Sequence, residues 1–178
     1  HIMLAFFRWI IFPWAPKAGN YTRGSLMFHQ KIMVDVLAKY SLLYAHSMYA
    51  SAYTNIYLRM MGCKVGKRVE CSNLFGFTPG LTEIGNETFI ADFVGLNPPE
   101  VFRGILTLGM VRIEDRAFVG TGSVIRPGTT ISKGCLVGLS SFPTRDTAAG
   151  ETVIGSPGFT MPRAKSSDEN DAARFNPT

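Results

Sequence analysis

From Ile113, steps of six residues land on Val119, Ile125, Ile131 and Val137, every one aliphatic. The same step from Ile84 gives Ile90, Leu96, Phe102 and Leu108, and from Val65 it gives Cys71 and Phe77. A small residue often follows: Gly66, Gly85, Ala91, Gly120, Gly138 and, after Ile154, Gly155. A helix repeats every ~3.6 residues and a strand about every 2, so neither produces this pattern. Three short strands joined by three turns do, as one triangular coil of about 18 residues. Each aliphatic side chain then points inward and stacks on its equivalent one coil away. The small residue sits near a corner, where a Cβ would crowd the turn or demand a difficult φ. Residues 63–160 are therefore expected to form an all-β, left-handed parallel β-helix of about five coils. The register slips near 109–113 and 143–153, which should be loops or widened corners. A stack of coils buries its faces only against neighbouring coils, so its ends need covers.

The segment before the coils is a different material. His1-Ile2-Met3 reads as a tag remnant, residues 4–62 as an apolar, basic helical segment, 63–163 as the β-helix and 164–178 as a polar tail. Residues 16–25 contain Pro16, Gly19, Asn20 and Gly24 and read as a turn or loop. Residues 26–60 hold no Gly or Pro. Phe28, Ile32, Val36, Tyr40 and Leu43 follow steps of three and four, predicting one greasy stripe that Met27, Val34, Leu37 and Leu42 widen, with Gln30, Lys31, Asp35 and Lys39 mainly on the other side. A break is expected around Ser47–Ser51, before a second helix capped by Gly62.

Charge divides the chain in the same place. Through Arg68 there are nine basic residues and a single acid, Asp35, a balance of +8; from Val69 onward nine basic residues meet twelve acids, a balance of −3. A basic, aromatic-rich front suits an anionic membrane surface or an acidic partner. Residues 4–14 are too few to cross a bilayer, but Arg8, Trp9, Trp14 and Lys17 make an interfacial anchor; docking on another domain accounts for the segment equally well. Nucleic acid is not expected, because the coils carry no basic run. Cys63, Cys71 and Cys135 are odd in number and lack a CxxC spacing, which argues against both a disulfide framework and a zinc site and points to a reducing, cytoplasmic location, with membrane association through the front. Cys71 falls on an inward hexad site, whereas Cys135 is expected to point outward or lie at a corner.

Three stretches carry a resemblance: NIYLRMMGCKVGKRV (55–69), GILTLGMVRIEDRAFVGTGSVIRPGTTISKGCLVGLSS (104–141) and VIGSPGFTMPR (153–163). With the hexads, they make the chain resemble the hexapeptide-repeat acyltransferase superfamily. Within it, the chain is most similar to the C-terminal β-helix modules of ε-poly-lysine-synthetase-like nonribosomal peptide synthetases. Those proteins carry an adenylation domain, a carrier domain and a membrane-embedded region in which helices alternate with β-helix modules. The resemblance implies a CoA or phosphopantetheinyl thioester donor, a carrier-domain partner, and assembly as a homotrimer or with sister modules.

The chain departs from that pattern at the catalytic base. Many of these enzymes use a histidine on a loop beside the coils. Here His29 and His46 lie in the helical front, and the irregular segment before Gly104 reads Leu96-Asn97-Pro98-Pro99-Glu100. A γ-class carbonic anhydrase site, with three histidine ligands from the coils, is excluded for the same reason. The polar cluster expected to project there is Asn97 and Glu100, with Asp92 about one strand away. Glu100 would accept a proton from an amine and Asn97 would donate to a carbonyl; a Pro-bent turn with a solvated carboxylate is the plainer alternative, and turn capping is the plainer role for Asp92. Three functions follow: a synthetase module assisting amide formation, a free-standing acyl-CoA-dependent acyltransferase with a carboxylate base, or a non-enzymatic membrane-associated scaffold.

Overall fold

The computed structural model describes residues 2–11, 16–44 and 52–162. Three columns of short parallel strands wind into a prism. The first face holds β2 (Lys64–Val65), β5 (Thr82–Ile84), β10 (Val111–Ile113) and β13 (Thr130–Ile131). The second holds β3 (Glu70–Cys71), β6 (Phe89–Ile90), β11 (Phe118–Val119), β14 (Leu136–Val137) and β15 (Thr152–Ile154), closed by antiparallel β16 (Phe159–Met161). The third holds β4 (Leu74–Phe75), β7 (Val94–Leu96) and β12 (Val124–Ile125).

The register states the repeat directly. Arg112 pairs with Thr130 and Phe118 with Leu136, steps of 18. Ile113, Val119, Ile125, Ile131 and Val137 are all buried in one continuous core, as the hexads require. At Gly66, Gly85, Gly120 and Gly138 the small residue is set by close approach rather than by φ, whereas Gly155 sits at φ 92°. A Cβ on Gly66 would lie 2.7 Å from the Gly85 carbonyl carbon, and one on Gly120 would lie 2.8 Å from that of Gly138. At one corner the left-handed conformation falls to charged residues instead: Arg68, Glu87 and Arg116, with φ of 53°, 55° and 58°, stack in a column joined by ion pairs.

The second hexad series breaks at its fourth member. Ile84, Ile90 and Leu96 are inward, but Phe102 is 72% exposed. It belongs to a hairpin of β8 (Glu100–Phe102) and β9 (Ile105–Leu108) that leaves the prism, turning through Arg103 and Gly104, both at positive φ. Leu108 is buried outside the prism, in a small cluster with Leu81 and Leu106. The hairpin lengthens the step between coils, so Glu83 pairs with Arg112, 29 residues on. The expected slip thus begins before 109. The segment expected as a loop at 16–25 contains β1 (Gly19–Thr22), which pairs antiparallel with β9. Its four residues carry no apolar alternation, so only the partner strand makes it a strand. The second expected break is a loop, and it folds over Cys135. That thiol is buried, donating to the Ala148 carbonyl at 2.8 Å, rather than outward.

Three helices cover the first coil: α1 (Ile2–Ile11), α2 (Leu26–Tyr44) and α3 (Ala52–Met61). Val34, Tyr57, Leu58 and Met61 join the core beneath them. Gly62 caps α3 at φ 99°, with its N–H donating to the Arg59 carbonyl at 2.9 Å. The buried side of α2 keeps only part of the expected stripe. Met27 and Val34 face the core as expected and are joined by Lys31 and Ala38, while Ile32, Val36 and Tyr40 are exposed. Lys31 is 0% exposed, with its ammonium paired with Asp35; a long aliphatic stem is what lets a lysine take such a position. The break expected at Ser47–Ser51 lies outside the described residues.

Candidate functional site

The three polar residues expected to project as one cluster are each tied into the fold, and no hydrogen bond joins them among the described residues. Asp92 lies on an exposed corner, where Oδ1 accepts from Ser72 Oγ and from Asn73 Nδ2 at 3.1 Å, a turn-bracing arrangement. Asn97 is fully buried at φ 66°, donating from Nδ2 to the carbonyls of Leu81 and Gly109, both at 3.0 Å. It closes the corner from which the hairpin departs. Glu100 forms a bidentate pair with Arg126, at 2.7 Å to Nε and 3.0 Å to Nη2, and Arg126 in turn lies over the Phe142 ring. Both carboxylate oxygens therefore face a guanidinium of the next coil, which makes Glu100 a latch for the hairpin.

The residues expected at a membrane surface separate in the same way. Trp9 is half-exposed and donates from Nε1 to the Met60 carbonyl at 2.8 Å. Lys17 is exposed. Arg8, in contrast, is 1% exposed and packs beside Gly62, and burial pulls its pKa down, so it faces the inside of the cap rather than solvent. Trp14 and His46 lie outside the described residues. His29 is exposed on α2, with Nδ1 3.0 Å from the Ser25 carbonyl. Among the described residues, no helix is long and apolar enough to cross a membrane, and no group of three or more His, Cys, Asp or Glu could hold a metal ion.

Two grooves flank the coils where the helices meet them. The larger, about 630 Å³, lies between α3 and the second face, lined by Asn55, Ile56, Arg59, Arg68, Glu70 and Phe89 among others. The smaller, about 300 Å³ and mostly apolar, lies between α2 and the corner that precedes the hairpin. Ile32, Val36, Phe75, Pro98 and Pro99 form its walls, with Asp35 and Lys39 also lining it. The segment 97–100 thus borders a groove, but it contributes prolines. The carboxylate lining this groove is Asp35, from the opposite wall. Its Oδ1 pairs with Lys31, and its Oδ2 is buried with no hydrogen-bond partner among the described residues. Burial pushes the Asp35 carboxyl up and the Lys31 ammonium down, against their mutual attraction. Sequence reasoning passed over both residues as polar positions facing away from the core. The signal available was that Asp35 is the sole acid in the first 68 residues.

Solved structures identify the prism. A hexapeptide-repeat acetyltransferase from Vibrio cholerae superposes with a TM-score of 0.57 at 15% identity, covering 77% of this chain and 94% of its own. A maltose O-acetyltransferase from Clostridium difficile 630 superposes at 0.52 and 18% identity, covering 84% and 94%. The fold is the left-handed β-helix of the hexapeptide-repeat acetyltransferases. A serine acetyltransferase from Neisseria gonorrhoeae superposes with a TM-score of 0.52 at 19% identity, covering 85% of this chain and 60% of its own. No protein-family model matches the chain. In sequence, it is 31% identical over 165 residues to the Delta-poly-L-ornithine synthetase of Acinetobacter baumannii (strain AB307-0294). That match covers 91% of this hexapeptide-repeat chain but only 12% of the synthetase.

Proposed function

We propose that the chain is a β-helix module of a longer, nonribosomal-peptide-synthetase-like protein and assists amide formation from a carrier-bound aminoacyl or acyl group. The observation that carries this reading is the likeness to a poly-ornithine synthetase along nearly the whole chain, helices included. An acyltransferase-like prism suits the chemistry. An amine attacks a thioester carbonyl, the C–N bond forms, the C–S bond breaks and the amine proton leaves. The thioester arm, whether on CoA or a carrier domain, would lie along the larger groove, with Arg59 and Arg68 nearest its phosphate. The acceptor amine would lie in the smaller groove, beside Asp35.

The helical cap supports a membrane-facing placement of the module. Phe6, Phe7 and Ile10 of α1 and Tyr53 and Ile56 of α3 are exposed, and so are Lys17, Arg23 and Lys39 of the same helical front. Apolar and cationic side chains together suit an anionic bilayer surface. On the second face, Phe89 and Phe118 stack in parallel at 5.2 Å and are partly exposed, a flat surface suited to a neighbouring prism in a homotrimer or to a sister module.

A scaffold role is the second reading, favoured because Asp92, Asn97 and Glu100 are all bonded into turns. Deleting this module from the full synthetase separates the two. The amide-forming reading expects aminoacyl loading of the carrier to persist and polymer, read by mass spectrometry, to vanish; polymer must return when the intact module is supplied, but not when a variant with the smaller groove filled is supplied. Restoration by the filled variant supports the scaffold instead, and polymer made without the module defeats both.

A further inference from the structure

Each of the two ion-paired carboxylates in the first coils bridges two cations. Glu83 takes Lys64 on Oε1 at 2.6 Å and Arg112 on Oε2 at 2.9 Å. Glu87 takes Arg68 on one oxygen and Arg116 on the other. Asp35 is half of the same arrangement: Lys31 occupies Oδ1, Lys39 attracts the carboxylate from one turn on without a hydrogen bond, and among the described residues no donor reaches Oδ2. A buried carboxylate oxygen left without a donor is costly, and a cationic N–H donor offsets this best; a single open oxygen suits an ammonium, a guanidinium being built to take both.

The walls define the rest of the ligand. Val36 and Phe75 face Pro98 and Pro99 across a mostly apolar space of about 300 Å³, at the lower end of small-ligand clefts. Such walls take an aliphatic stem and reject a second charge along it. Lys39, exposed and lining the same groove, supplies a cation for an anionic group on the ligand. One carboxylate oxygen, an apolar middle and one cation together match an amino acid with an aliphatic side chain ending in an ammonium.

We propose that the groove between α2 and Pro98-Pro99 binds a basic amino acid, with the terminal ammonium on Asp35 Oδ2, the carboxylate at Lys39 and the aliphatic stem along Val36, Phe75 and the two prolines. This rests on the synthetase-module reading and names the acceptor it would use. Neither Asp35 nor Lys39 needs to move a proton for this role, which is recognition.

Calorimetric titration of the 178-residue chain with L-ornithine, L-norvaline and n-butylamine tests it. Norvaline keeps the carboxylate and stem but lacks the terminal amine; butylamine keeps the amine and lacks the carboxylate. Ornithine is expected to bind at least about tenfold more tightly than either, since each comparison ligand forgoes one charge-assisted hydrogen bond. Lys39→Gln should weaken ornithine and leave butylamine unchanged. Asp35→Asn should erase the preference for ornithine over norvaline. Because that change also strips Lys31 of its counter-charge, Val36→Trp is its companion. It fills the groove from an exposed position, leaves the ion pair intact, and should abolish ornithine binding with the thermal midpoint unchanged. Ornithine and norvaline binding equally, no ornithine binding by the folded chain, or undiminished binding by Val36→Trp would each overturn the assignment. Binding is read here without amide formation, so such a failure removes the groove's ligand and leaves the module reading to the deletion experiment.

Discussion

The coils and the helical cap solve burial in opposite ways. Inside the prism, each inward site repeats one chemistry, from Ile113 through Val137, and the charges stay on the faces as ladders such as Lys64–Glu83–Arg112. The cap does the reverse. It buries Arg8 and Lys31 and leaves Phe6, Ile10, Met33, Val36 and Tyr53 exposed. A periodic stack needs only that one residue type recur; a buried charge needs a particular partner, and its pairing is where selectivity for a ligand can be built. The two regions should therefore fail differently under substitution.

The largest effect belongs to the prism. Ile125→Asp puts a carboxylate at a fully buried site of the continuous apolar core, stacked on Leu96 of the preceding coil. A loss on the order of 5 kcal/mol is expected, read as collapse of the cooperative unfolding transition by circular dichroism. A variant that melts like the parent would mean Ile125 is not an inward site.

The cap comes next, and it should reward a swap the prism does not offer. Asp35→Ala leaves the Lys31 ammonium buried without its carboxylate, at a cost of about 3–5 kcal/mol. Replacing both, Lys31→Met with Asp35→Leu, should leave the thermal midpoint unchanged or raised, since a buried ion pair is often worth no more than well-packed apolar groups. If the double variant is as damaged as Asp35→Ala, the pair does more than satisfy itself.

Acid should open the other end of the prism. Glu151 accepts from Arg145, Thr160 and the Ala148 N–H, and its pKa is pushed down from 4.5 to about 2, chiefly by the hydrogen bonds from Thr160 and Arg145. A depressed folded value means that its contribution is complete above the unfolded pKa and is lost as pH falls from 4.5 toward 2. Glu151→Gln should flatten the acid limb of a midpoint-versus-pH curve and leave the neutral region nearly flat; an unchanged acid limb would remove Glu151 from the cause. The smallest effect is Glu100→Gln, which breaks a part-exposed pair with Arg126. It should cost under about 1 kcal/mol while speeding amide exchange in the β8–β9 hairpin.

The same contrast explains what could be read in advance. The five aliphatic hexads were legible because each inward site constrains the next. The hairpin was hidden because Phe102 and Leu108 kept the six-residue step after the chain had left the prism. Cys135 looked outward because the loop over it, near Thr147 and Ala148, comes from beyond the repeat. Lys31 was misplaced for a physical reason: its long stem lets a charged residue occupy an apolar stripe, which a pattern of residue types does not register. Asp35 was conspicuous as a lone acid, but the wall that makes a groove of it, Pro98-Pro99, lies more than sixty residues away in the chain.

If the prism is the scaffold and recognition sits where α2 meets it, hydrogen–deuterium exchange of the 178-residue chain, with and without L-ornithine, reads both at once. The slowest amides should lie in Val111–Ile113, Val124–Ile125 and Leu136–Val137 and be indifferent to the ligand, while protection rises at residues 31–39 and around the Phe75 and Glu100 amides that flank the groove. Protection confined to the coil faces, with α2 unchanged by saturating ornithine, would contradict that division of labour.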